Sequence, residues 1–172
     1  MENSEKKAQL KKQIADLRSG NKGVIISAIK EVRQDSDPSI LHELFSLLLE
    51  REEEELISEI SELLCDLKNQ EAAGILAGAL EKDEYRPIAR ILASACWQNG
   101  LSYGKYSSTF VNLALDADFE TAFEAITVLE ESAHELEDSD RKEIIAKLKL
   151  GILEVDPQKQ ALIHNLIHSI YT

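Results

Sequence analysis

Apolar residues recur at helical spacing along this chain, and short polar breaks cut the pattern into segments. The clearest stretch runs from Gly23 through Val32, breaks at Asp37-Pro38, and resumes from Ile40 to Leu48. That pattern predicts two amphipathic helices joined by a turn, a helical hairpin. Three further hairpins follow, so the four span 22–50, 53–82, 85–116 and 118–153. An N-terminal helix is predicted over 5–18, with Leu10, Ile14 and Leu17 as its apolar stripe, and a last helix over 157–171. The breaks carry the expected punctuation. Asp37-Pro38 and Asp156-Pro157 pair an N-cap acid with proline at the first helical position. Asn69, Asp118 and either Asp138 or Ser139 are further N-cap candidates, and Ser19-Gly20-Asn21 and Asn99-Gly100 read as helix ends.

The first helices of the hairpins superimpose. Ile26, Ile29 and Val32 align with Ile57, Ile60 and Leu63, with Ala89, Leu92 and Ala95, and with Phe123, Ile126 and Leu129. Their middle positions step by 31, 32 and 34 residues, a period that suits helix-turn-helix repeats with variable turns. The second helices follow more loosely: Leu44, Leu47 and Leu48 align with Leu76, Ala79 and Leu80, and Phe110, Leu113 and Ala114 continue the series. A lone hairpin cannot bury its apolar stripes, so repeated hairpins must stack, and the outermost helices then act as caps. The expectation is one all-α domain over 1–172.

These residues resemble the HEAT-repeat superfamily, best in the first unit with Ala28-Ile29, Val32, the Asp35-x-Asp37-Pro38 turn and the leucines after it. The likeness covers about residues 20–153. The Trp-Leu-Gly-Tyr pattern of tetratricopeptide repeats and the Thr-Pro-Leu-His turn of ankyrin repeats are not found. The resemblance implies a right-handed α-α superhelix, with first helices on the convex side and second helices on the concave side. It also implies a scaffold that binds other macromolecules and does no chemistry itself.

Composition narrows the functions. The mix of Leu, Ile and Ala with only 5% aromatics favours helix over strand. The net charge of −13 argues against nucleic acid and anionic membrane surfaces as partners. The charge is uneven: residues 106–140 hold ten acids and no Lys or Arg. Within it Asp116, Asp118, Glu120 and Glu124 form a candidate acidic surface for a basic segment of a partner. The run Glu50–Glu55, with Glu59 and Glu62, reads as a solvated helix start or as a docking strip. The polar N-terminus lacks a secretory h-region and no stretch approaches membrane-span length, so a cytoplasmic location is expected. Cys65 and Cys96 stand in helical apolar runs without metal or redox spacing and read as free thiols.

The most distinctive chemistry lies in the third hairpin. Tyr85, Tyr103, Tyr106 and the single Trp97 fall within 85–106, beside Arg86, Arg90 and Asn99. Tyr, Trp and Arg are the side chains that most often anchor interfaces, and Arg86 and Arg90 offer bidentate contacts to carboxylate or phosphate. Arg86, Arg90, Trp97, Asn99, Tyr103 and Tyr106 are therefore the candidate binding residues; the competing reading packs Trp97 and the tyrosines into the core. His164 and His168 share a helix face, but Asn165 stands where a metalloprotease motif needs Glu. No metal, cofactor or catalytic residue is assigned, since no nucleophile motif or phosphate-cradling Gly loop is present. A non-enzymatic protein- or peptide-binding module is the first expectation, a structural subunit of a larger assembly the second. An enzyme on a helical-repeat frame, like the HEAT-like DNA glycosylases or bilin lyases, is the third. The acidic charge opposes the glycosylase and no motif supports the lyase.

Overall fold

The computed structural model describes residues 2–32 and 37–171, so Asp35 of the first turn lies outside the described residues. Among the described residues there are ten α-helices: α1 (Glu2–Leu17), α2 (Lys22–Val32), α3 (Leu41–Glu50), α4 (Glu54–Cys65), α5 (Glu71–Leu80), α6 (Ala89–Gln98), α7 (Ser107–Asp116), α8 (Phe119–Glu131), α9 (Asp138–Gly151) and α10 (Pro157–Tyr171). Short 3-10 turns at Pro38–Ile40, Asp83–Ile88, Gly104–Tyr106, Ala133–Glu135 and Ile152–Glu154 join them. Among the described residues no strand forms, and no helix is long and apolar enough to cross a membrane.

The even-numbered helices form a row: α2 lies against α4, α4 against α6, α6 against α8 and α8 against α10. Beside that row α3 packs on α4, α5 on α6, α7 on α8 and α9 on α10, while α1 covers α2 and α3. One continuous apolar cluster runs from Leu17 to Ile170 between these helices. Its largest members include Phe45, edge-on to Tyr85 at 5.5 Å, and Phe110, edge-on to Tyr103 at 5.7 Å. Full burial of such a ring stabilises the fold by about 2–3 kcal/mol.

The buried stripe of the first helices differs by one position from the aligned triplets. Ile25, Ile29 and Val32, Leu56, Ile60 and Leu63, and Ala122, Ile126 and Leu129 are buried, whereas Ile26 and Ile57 are half-buried and Phe123 is 48% exposed. The reason is geometric. Positions i, i+3, i+6 drift around a helix of 3.6 residues per turn, while i, i+4, i+7 stay on one face. At α6 the stripe is wider: Ile88 just before the helix and Ala89, Leu92 and Ala95 within it are all buried.

The capping chemistry largely matches its expectation. Asp37 Oδ1 accepts from Ser39 N at 2.9 Å, Asn69 Oδ1 from Glu71 N at 3.0 Å, and Asp156 Oδ1 from Gln158 N at 3.0 Å. Gly20 and Gly100 take the left-handed conformation, φ 73° and 69°, after α1 and α6. At α9 the outcome differs. The helix begins at Asp138 with Glu137 in the cap position and no side-chain cap bond. Arg141 fixes this turn instead, donating to the carbonyls of Ala133 at 2.7 Å and Leu136 at 3.2 Å.

Asp118 makes the best-formed cap. Its Oδ1 accepts from Thr121 N at 2.9 Å and its Oδ2 from the Thr121 hydroxyl at 3.1 Å. Those bonds, the backbone one first, hold its pKa below the usual carboxylate value. A depressed folded-state pKa gives stability that is present above the unfolded pKa near 3.9 and lost as pH falls through the folded value. Asp118→Ala should cost about 1 kcal/mol at pH 7. In urea titrations that difference should shrink towards pH 2, and Asp118→Asn, which keeps the acceptor, should lose less at pH 7.

Candidate functional site

The third unit sets the geometry. Pro87 and the 3-10 turn Asp83–Ile88 lead into α6, and burial of Tyr85 and Ile88 fixes that entry. Arg86 projects from the turn and pairs with Asp83 at 3.0 Å, both side chains strongly exposed. Arg90, one turn on, pairs with Glu120 of α8. Trp97, two turns beyond Arg90, donates from Nε1 to Glu124 Oε2 at 2.7 Å. The seven-residue spacing on α6 and the four-residue spacing on α8 place these pairs on matching faces. Together they clip α6 to α8 along the outside of the row. Exposed pairs of this kind contribute no more than about 1 kcal/mol each.

Two of the expected binding residues face inward. Tyr103 and Asn99 are buried. Asn99 Nδ2 donates to the Tyr103 hydroxyl oxygen at 3.0 Å and to Leu64 O at 3.4 Å, and its Oδ1 accepts from Leu101 N at 3.0 Å. Burial, first among the causes, raises the Tyr103 pKa. Tyr106 is half-buried, with its hydroxyl over Gly74: a Cβ there would lie 2.7 Å from the tyrosine oxygen, so any larger residue would have to push the tyrosine tip aside. The cluster thus divides into an outward set, Arg86, Arg90 and Trp97, an inward set, Asn99 and Tyr103, and Tyr106 between them.

The two ends of α6, about 15 Å apart, each open into a cleft against α8. At the C-terminal end Trp97 walls a cleft of about 450 Å³. Gly100, Leu101 and Val128 supply apolar surface, and Glu131 and His134 stand at its polar side. His134 Nδ1 donates to Glu131 O at 2.9 Å, which orients the ring. At the N-terminal end a cleft of about 510 Å³ lies between Lys82 and Arg86 on one side and Asp116 and Asp118 on the other. The structure therefore brings Arg86 together with two of the candidate acids, and Trp97 together with Tyr103. Arg90 lies on the outer face between the clefts.

The acidic residues are largely engaged within the fold. Asp118 caps α8, Glu120 holds Arg90 and Glu124 accepts from Trp97. Asp116 is exposed at the end of α7. Likewise Glu55 pairs with Lys22, Glu59 with Lys30 at 3.7 Å, and Glu53 with Arg51, whose bonded guanidinium holds the Glu53 pKa down at about 2. Of the acids in the 106–140 stretch, Glu120 is answered by a cation from beyond it, Arg90. Several side-chain links join residues about thirty apart along the chain. Arg90 and Glu120 are 30 residues apart, Lys68 and Asn99 31, Gln70 and Ser102 32, and Ser102 and Glu135 33.

The thiols offer little reactivity. Cys96 is buried, which pushes its pKa up to about 12, and Cys65 is half-buried and also raised, mainly by burial. His164 and His168 are exposed on α10, and among the described residues no group of three or more His, Cys, Asp or Glu gathers as a metal site. One residue that periodicity passed over is Gln13. It lies at the i+3 position between Leu10 and Leu17 and is only 4% exposed. A buried amide group left unbonded costs about 1–3 kcal/mol. No known family model matches the chain, and no curated protein matches it.

Proposed function

We propose that the chain is a small HEAT-like solenoid, right-handed, that binds a protein or peptide and catalyses nothing. The observation that carries the binding reading is Trp97. The only tryptophan is 38% exposed and walls a cleft whose other surfaces are apolar at the floor and carboxylate at the edge. A flat ring with a neighbouring carboxylate suits an Arg or Lys side chain, by cation–π contact and charge together. The overall charge of −13 favours the same kind of partner and speeds its encounter. The stacked-repeat reading is supported by the row of even-numbered helices and by side-chain links spaced about one unit apart.

The test is capture of partners from source lysate, followed by calorimetry with the captured segment made as a synthetic peptide. Trp97→Ala should weaken that peptide at least tenfold, and raised salt should weaken it further. A peptide that binds both proteins equally would remove the cleft from the reading. Tyr103→Ala is unsuitable as a probe of the surface because its ring is core.

A second reading, a structural subunit of an assembly, is favoured by Leu150 and Leu153. They stand 78% and 81% exposed at the end of α9 and in the turn that follows it, a pair of large apolar side chains that a neighbouring subunit would cover. Sedimentation should then show a mass that rises with concentration and falls back in Leu150→Lys/Leu153→Lys. A monomer at all concentrations leaves the peptide-binding reading alone.

A further inference from the structure

Phe119 and Phe123 stand on α8 and are 40% and 48% exposed, although Phe45 and Phe110, the other two phenylalanines, are fully buried. Positions i and i+4 share one helix face, so the two rings form a stripe rather than separate exposures. A second stripe runs beside it: Glu120, Glu124, Thr127 and Glu131 at i, i+4, i+7, i+11. This acidic stripe faces α6, since Glu120 holds Arg90 and Glu124 accepts from Trp97. The order across the surface is therefore Trp97 of α6, then carboxylates, then the phenylalanine pair of α8.

The charge on this face is one-sided. α6, α8 and α10 lie side by side and contain, apart from His164 and His168 of α10, two basic residues among them, Arg90 and Lys159. Arg90 is taken up by Glu120, and Lys159 is buried against the carbonyls of Leu115 and Ala117. α8 alone brings Glu120, Glu124, Glu130 and Glu131. The complement of an apolar stripe beside an acidic one is an apolar stripe beside a basic one. An extended strand fits this surface less well than a helix. A strand's main chain needs a sheet edge, and among the described residues no strand forms. A helix closes its own backbone bonds. A second copy of the chain is opposed twice. The exposed parts of the three rings, at ~200 Å² a ring, come to roughly 250 Å², against about 800 Å² from each partner in a stable dimer. Another copy also brings its own net charge of −13. An anionic membrane is repelled in the same way.

We propose that the outer face of α6 and α8 docks a basic amphipathic helix of a partner protein. Its apolar stripe covers Phe119 and Phe123, and its Lys or Arg side chains meet the carboxylates and Trp97. This rests on the Trp97 site proposed above and gives the partner a secondary structure and a second anchor.

The experiment uses the full chain and four probes. They are a peptide of about four helical turns with Leu at i, i+3, i+4, i+7 spacing and Lys elsewhere, the same residues scrambled, the Leu/Glu counterpart, and phosphatidylcholine vesicles. Calorimetry gives the affinity, and the emission of Trp97, the single tryptophan, gives the place. The Leu/Lys helix should bind with a dissociation constant on the order of 10 µM and shift that emission. The scrambled peptide should bind about tenfold more weakly or worse, and the Leu/Glu peptide should not bind. Phe119→Ala/Phe123→Ala, shown folded by its melting curve, and Trp97→Ala should each lose about tenfold in affinity for the Leu/Lys helix. Glu120→Gln/Glu131→Gln, at exposed positions, should lose severalfold and flatten the salt dependence; an unchanged affinity there overturns the proposal. Equal binding of the scrambled peptide, or an affinity that the phenylalanine change leaves intact, overturns the docked helix and leaves Trp97 as a site for a lone Lys or Arg. A loss confined to the phenylalanine change overturns the Trp97 site and this proposal with it. Equal binding of the Leu/Glu peptide overturns the charge complementarity on which both stand. Vesicles that shift Trp97 as the peptide does would make the occupant a lipid surface. A mass that rises with concentration in the wild type but not in the phenylalanine variant would make it a second copy. Either result overturns the proposal.

Discussion

Asn99→Ala should lower the free energy of unfolding by about 3 kcal/mol, the largest loss expected from any single polar side chain here. The wild-type amide serves three partners in the interior: the Tyr103 hydroxyl, the Leu101 N–H and the Leu64 carbonyl. Alanine strands all of them, and a buried polar group left unbonded costs about 1–3 kcal/mol. Summed over the three groups the loss would exceed that, but the Leu101 N–H is only part-buried and recovers some solvation, which keeps the total at about 3 kcal/mol. In a chain of this size the loss appears as a fall in melting temperature of roughly 6–12 °C. Tyr103→Phe removes one hydroxyl and leaves the Leu64 and Leu101 bonds in place, so about 1 kcal/mol is expected. The double variant should be less destabilised than the sum of the two, because the shared bond is counted once. Urea unfolding of the four proteins checks this; additivity would mean that the Asn99–Tyr103 bond contributes nothing.

Lys159→Met should cost about 2 kcal/mol and loosen α10 before the rest of the molecule. Lys159 is buried, and its ammonium donates to Leu115 O at 2.6 Å and Ala117 O at 2.7 Å. Those carbonyls end α7, where the last turn has no intrahelical donors and the helix dipole favours a cation. Two effects oppose each other. Burying an ammonium is unfavourable, and methionine relieves that cost. Against it, two carbonyls lose charge-assisted bonds worth about 1.5–3 kcal/mol each. The second effect is larger, so the change is a net loss. Methionine keeps the apolar stem, which separates the loss of the bonds from a cavity. Hydrogen exchange should rise first in the amides of α10; protection that stays at the wild-type level there would show that apolar packing alone holds this helix.

Helix positions were legible because three signals agreed: apolar periodicity, N-cap acids such as Asp37, Asp118 and Asp156, and the left-handed glycines Gly20 and Gly100. The face of each helix was less legible. Aligned triplets at i, i+3, i+6 put Phe123 inside, whereas Ala122 lies inside in its place. The candidate site was legible as a neighbourhood only. Residue type gathers Arg86, Arg90, Trp97, Asn99, Tyr103 and Tyr106, but whether each points in or out depends on what lies about one unit away. Glu124 draws the Trp97 indole outward, while Leu64 and Leu101 hold Asn99 inward. Gln13 escaped for the opposite reason. A polar residue inside an apolar stripe carries no periodic signal, and only its burial reveals it.

The turn links have a kinetic corollary. Lys68 to Asn99, Gln70 to Ser102 and Ser102 to Glu135 each close a loop of about thirty residues. Loop-closure entropy grows only with the logarithm of loop size, so such a search is short compared with one that must join distant ends. Chains dominated by local helical contacts reach the native state in microseconds to milliseconds. Helices that are neighbours along the chain can then pair first and the others dock onto them. On that route Asn99, whose amide and carbonyl both join α4 and its following turn to the third unit, stands where growth crosses the middle of the chain.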